Sequence, residues 1–272
     1  MSVNWAGYRT RRRRSRSAAA LLAAVTAAVV GLLGWFFLRG QYELGENGSG
    51  PTTARLYDMT WMKPLPGVHA VPDAPARSVL DALPVAPKDS SRGYDRAVFG
   101  QAWADEDRNG CDTRNDILRR DLDAVTFTAS SARTQCRVAT GSLWDPYTGH
   151  HIPFERGQGS SQVIQIDHVV ALAEAWKSGA DHLTAVERQT LANDPLNLLA
   201  VDGPSNQQKS AQDASTWLPA NRGFRCHYVA RQVSVKYSYG LSVSPQERDA
   251  MRRVLDGCPD QTAIARPAVP AR

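Results

Sequence analysis

Positive charge is scarce in this chain of 272 residues once its first segment is set aside. The net charge of +5 rests on seven arginines at positions 9, 11, 12, 13, 14, 16 and 39, in a stretch with no acid. Beyond residue 40, 25 Lys+Arg face 27 Asp+Glu. A global positive field is therefore excluded as a means of holding a polyanion, and any such binding must use a local patch or an ion. Cysteine is limited to four residues with no C-x-x-C spacing, which speaks against a zinc ribbon or a dithiol redox motif. No Ser-His-Asp order, catalytic Cys-His pair or H-x-x-E-H motif points to the commoner peptidase or esterase chemistries, and no internal repeat is found.

One long apolar run stands out. Ala18 to Leu38 carry no charge over 21 residues, enough to cross a hydrocarbon core about 30 Å thick. The arginines before it place the N-terminus in the cytoplasm. The bulky exit at Trp35, Phe36 and Phe37 suits an uncleaved signal anchor, with secretion after cleavage as the alternative. The expected organisation is a basic cytoplasmic segment (1–17), a transmembrane helix (18–38), a linker (39–75), a globular domain (76–260) and a tail (261–272). All four cysteines lie on the translocated side, where disulfides form.

Within the domain, residues 77–83 and 115–122 read as short helices and Ala124–Thr128 as a strand. Residues 136–143 and 151–155 flank Asp145-Pro146-Tyr147-Thr148-Gly149, a turn signal, and predict a β-hairpin. The aromatics of 93–103 are expected in the core. A helix from about Phe224 to Tyr239 is followed by one starting at Ser244-Pro245-Gln246-Glu247, a serine cap with a capping-box glutamate. Folded back on each other, these helices bring Cys226 to Cys258, which leaves Cys111 for Cys136.

The chemical signal lies in two stretches. Val163–Ile166 reads as a strand ending at Asp167-His168, where side chains can meet solvent. Asn197–Val201 reads as a second strand. A turn at Gly203-Pro204 and a helix capped by Ser205 follow, with Asn206, Lys209 and Asp213 expected on one helical face. A neutral imidazole can take a proton from water near neutral pH. Asp167 and the Asn206 carbonyl are oxygen ligands suited to a hard cation. Lys209 could contact a phosphate, and Asp213 could be a ligand or a surface acid. Glu174 is expected to face solvent or an internal arginine.

These stretches, with GYDRAVFG (93–100), GCDTRNDILRRDL (110–122), WLPANRGFRC (217–226) and YGLSVSPQERDAM (239–251), resemble the HNH, or His-Me finger, endonucleases. The likeness is to a secreted actinobacterial branch related to the C-terminal domain of GmrSD restriction enzymes. It implies an α+β fold with a ββα-metal core, added helices and a β-hairpin, preceded by the transmembrane helix. It implies His168 as general base and Asn197 as the residue holding the histidine loop. The implied metal ligands are Asp167 and Asn206, with Asp213 as a further candidate, and Lys209 and Arg114 are candidates for the substrate. The implied cofactor is a divalent ion, Mg²⁺ first, with Mn²⁺ or Ca²⁺ as alternatives, since the third position of the HNH pattern holds asparagine or aspartate in place of histidine and oxygen ligation disfavours Zn²⁺. The implied substrate is nucleic acid, DNA ahead of RNA. The membrane is met through the N-terminal helix, and no protein partner is inferable. The alternative is a catalytically inactive nuclease fold serving as a binding module of the cell envelope.

Overall fold

The turn at Asp145 organises much of what surrounds it. The computed structural model describes residues 68–264 apart from 91–92, 132 and 158–159. The basic segment, the expected anchor and residues 39–67 of the expected linker lie outside the described residues. Among the described residues no helix is long and apolar enough to cross a membrane. The Asp145 carboxylate accepts from the Thr148 amide at 2.7 Å, and Gly149 closes the turn at φ 79°, a left-handed conformation that favours glycine. The turn joins β2 (Val138–Trp144) to β3 (His151–Glu155), and β1 (Asp123–Phe127) adds to the other side of β2 in a three-stranded antiparallel sheet. The other Asp145 oxygen accepts from the Asp202 amide at 2.8 Å, which ties the hairpin to a second sheet.

That second sheet is a two-stranded antiparallel ribbon, β4 (Ile164–His168) with β5 (Leu198–Asp202), in which Asp167 pairs with Leu199 and His168 with Leu198. The molecule is thus a mixed α+β fold with two antiparallel sheets. Successive strand residues point to opposite faces, and here both faces are covered. Ile164, Ile166, Leu198 and Ala200 join one core cluster with Ile117 and Leu118. Leu199 and Val201 join another with Tyr147, Trp217, Tyr228 and Val229. The strand starts one residue later than its apolar run predicts, because Ser160–Val163 forms a helical turn and Val163 is exposed.

The helix after β5 departs from the sequence reading. It runs from Gly203 to Lys209, and its cap is Asp202, whose carboxylate accepts from the Ser205 amide at 2.8 Å. Ser205 is therefore inside the helix and is not its cap. Ser210, at φ 49°, ends it, so Asp213 does not continue the face of Asn206 and Lys209. Gly203 is required by space: a Cβ there would lie 1.8 Å from the Gln162 carbonyl oxygen. Gly203→Ala is expected to cost roughly 1–3 kcal/mol or more, since backbone must move. A urea midpoint unchanged from wild type would contradict this close approach.

The remaining helices pack against the ribbon or against one another. The segment Thr113–Asp121 sits against β5, with Ala185–Asn193 leading to it. Helices Arg225–Ser238 and Pro245–Asp256 form the predicted pair, the second with its Ser244 and Glu247 capping box. Both expected disulfides are present, Cys111–Cys136 and Cys226–Cys258. The second spans 32 residues of sequence, so its removal by paired alanine substitution is expected to cost about 3–4 kcal/mol in the chain-entropy account. Calorimetry of the double variant beside wild type measures it. Val71 and Ile264, outside the 76–260 limits read from sequence, are buried in the core clusters.

Candidate functional site

His168 is the last residue of β4, and its surroundings define which ring nitrogen is available. Nε2 lies 2.8 Å from the Ala192 carbonyl oxygen. A carbonyl only accepts, so Nε2 carries the proton and Nδ1 keeps a lone pair. No described residue bonds to Nδ1. Burial pushes the His168 pKa down to about 3, and the charges of Arg96 and Lys209 lower it further, against the opposing effect of the Ala192 bond. The imidazole is thus a neutral acceptor throughout the physiological range.

Asn197 holds this arrangement from behind. Fully buried, it accepts at Oδ1 from the Val170 amide at 2.8 Å. Its Nδ2 donates to the carbonyls of Val170 at 3.2 Å and Leu191 at 3.3 Å. Its own carbonyl accepts from the Val169 amide at 2.7 Å. One side chain therefore pins both the loop after His168 and the helix end that presents the Ala192 carbonyl.

Asp167 faces the other way. Its side chain follows the face of Leu199, toward Tyr147, whereas His168 follows Leu198. One carboxylate oxygen accepts from Lys209 Nζ at 3.0 Å and the other from the Tyr147 hydroxyl. Lys209 is fully buried, and its ammonium also donates to the His168 carbonyl at 2.8 Å. It is a brace under the strand end, and in this arrangement it does not reach a substrate. Burial raises the Asp167 pKa, with Lys209 and Tyr147 opposing.

The other expected ligands lie elsewhere. Asn206 donates its amide to Gln165 Oε1 at 2.8 Å, on the outer part of β4. Asp213 accepts from the Ser215 amide at 2.8 Å and pairs with Lys88. A divalent ion needs several oxygen or nitrogen donors converging on one point. Among the described residues no group of three His, Cys, Asp or Glu converges so, and the Asp167 oxygens are already occupied by an ammonium and a phenol. The donor set as folded does not fit a divalent ion at Asp167.

A pocket of about 250 Å³ opens beside His168. Trp103 lies nearly parallel to the imidazole, ring centroids 6.3 Å apart at 20°, and Arg114 places its guanidinium 6.0 Å from the Trp103 ring. Trp103 adopts φ 59°, a region that bulky residues seldom occupy. Sequence reasoning placed Trp103 among core aromatics and treated Tyr147 only as part of a turn. Both belong to the site's surroundings, while Phe99 alone of that aromatic group is fully core. Glu174 also departs from expectation: it is buried and paired with Lys236 at 2.8 Å, not with solvent or an arginine.

Residues 112–254 match the family described as GmrSD restriction endonucleases, C-terminal domain. An uncharacterized secreted protein of Arthroderma benhamiae is 35% identical over 198 residues, covering 72% of this chain and 91% of the relative. No solved structure matches the chain. The family match takes in both strands of the ribbon, the Asn197 clamp and the helix bearing Lys209, and the relative spans most of both chains. On these grounds the chain belongs to the family of GmrSD restriction endonuclease C-terminal domains.

Proposed function

We propose that the domain is an extracytoplasmic endonuclease of the HNH type that hydrolyses phosphodiester bonds of DNA, or of RNA, with His168 as general base. The observation that carries this is the Nε2 bond to the Ala192 carbonyl, which leaves Nδ1 as a neutral acceptor at the edge of a pocket. Water gives its proton to Nδ1 as its oxygen bonds to phosphorus; the departing ester oxygen leaves with the electron pair and takes a proton from bulk water, to which the imidazolium returns the one it gained. Asn197 acts as the positioning residue. The two disulfides and the secreted relative support a location outside the cytoplasm, with the expected 18–38 helix as anchor.

Divalent ions are common in the family, and one would neutralise charge at the phosphoryl group, but the residues as folded do not fit one at Asp167, which is the partner of Lys209, so no step here runs through it. The test is digestion of plasmid, single-stranded DNA and RNA with Mg²⁺, Mn²⁺, Ca²⁺ or chelator. Hydrolysis lost in His168→Ala supports the reading; no cleavage of any substrate under any of these conditions overturns it.

The sealed state of Asp167 favours one second reading, a binding module that retains the fold without catalysis. Nucleic-acid retention with no hydrolysis, unchanged by His168→Ala, would select it.

A further inference from the structure

The pocket beside His168 is built for something flatter and less polar than a phosphate. Its inner surface is formed by Phe99, Leu172 and Ala192, all buried and apolar. A phosphate gains nothing from such walls, whereas a heteroaromatic ring does. Its rim carries Trp103, half-buried, and Arg96, which is exposed and makes no hydrogen bond or ion pair among the described residues. Arg96 is also close enough to depress the His168 pKa. Apolar walls, an aromatic platform and a free cation thus surround the same imidazole.

We propose that this pocket receives one unpaired nucleobase of the substrate, stacked against Trp103, with Arg96 contacting the adjoining phosphate. A paired base has both faces covered and its edge engaged, so it must leave the duplex to enter a pocket. Single-stranded or locally unpaired nucleic acid is then the substrate class, held by stacking on an aromatic face. The inference rests on the reading of His168 as the base, and it adds which part of the substrate the neighbouring surface recognises.

The test uses the full-length protein carrying His168→Gln, so that labelled strands stay intact during anisotropy titration. Three ligands are compared: a single strand, its blunt duplex, and the same single strand with abasic sites. The single strand is expected to bind at least about tenfold more tightly than the abasic strand and the duplex, on the order of one stacked base. Trp103→Ala should remove most of that difference, Trp103→Phe should keep it, and Arg96→Gln should weaken the single and abasic strands alike. Equal affinity for intact and abasic strands overturns the proposal, and this comparison needs no Trp103 variant to fold. In the wild-type protein, equal cleavage of intact, abasic and duplex strands leaves the nuclease reading standing and removes the pocket assignment. Base-dependent binding with no cleavage anywhere does the reverse.

Discussion

Replacing His168 by alanine is expected to lower phosphodiester hydrolysis by about 10²- to 10⁴-fold while leaving the melting temperature within a few degrees of wild type. The effect is large because no other described side chain offers an unprotonated nitrogen at the pocket. The pH dependence sharpens the expectation. With its pKa pushed down to about 3 by burial, His168 stays a neutral base far below pH 6.5. The kcat/KM is expected to hold nearly level from pH 7.5 to 5, where an ordinary histidine would lose roughly thirtyfold. An acid limb centred near pH 6.5 would mean that the imidazole titrates as if exposed, and the buried assignment would fail.

The same shift has a consequence for stability. The unfolded chain takes up a proton at His168 near pH 6.5 that the folded chain resists until about pH 3. The contribution is complete above 6.5 and is lost as pH falls toward 3, at roughly 1.4 kcal/mol per unit. His227, also buried and pushed well below its ordinary value by burial and by Arg231, adds in the same direction. The two histidines are therefore expected to weaken the fold as pH falls below about 6.5, while Asp116 and Glu247, raised by burial to about 6 and about 7, act in the opposite direction.

Lys209→Met is the second variant with a large expected effect, a destabilisation of about 3–5 kcal/mol. The ammonium is fully buried, and the Asp167 carboxylate it neutralises is 5% exposed. Its loss leaves a buried charge that the Tyr147 hydroxyl alone cannot satisfy. Because the penalty belongs to the orphaned partner, Asp167→Asn combined with Lys209→Met should recover much of it, and a double-mutant cycle in urea measures the coupling. A single-variant cost below about 1 kcal/mol, the usual worth of a surface pair, would show that the pair is not sealed from water. The contrast with His168 is informative: one neighbour is expected to change activity with little loss of stability, the other to change stability first.

Much of this was legible in the chain. The Asp145 turn, the β-hairpin, the Ser244 capping box, the paired C-terminal helices and both disulfides follow from local rules, because turn residues, caps and helix lengths act over a few residues and tolerate many contexts. The strand–strand–helix order that carries His168 and Asn197 was legible for the same reason. Less was available where distant segments compete for one group. Helical spacing put Asn206, Lys209 and Asp213 on a shared face, but Ser210 breaks the helix and leaves Asp213 with Lys88 and Ser215.

The sequence by itself determined that Asp167 and His168 end a strand, that a partner strand follows close to Asn197 (it begins at Leu198, one residue later than read), and that the cysteines pair two and two. Only the tertiary structure decided what the two neighbours do. Strand alternation turns them to opposite faces, so Asp167 meets the buried Lys209 and Tyr147, and His168 meets the Ala192 carbonyl and the pocket. Tyr147 lies 20 residues from Asp167, Lys209 lies 42, and Ala192 lies 24 from His168. At those separations no periodicity links the partners, and packing of the hairpin, helix and ribbon sets which oxygen faces which donor.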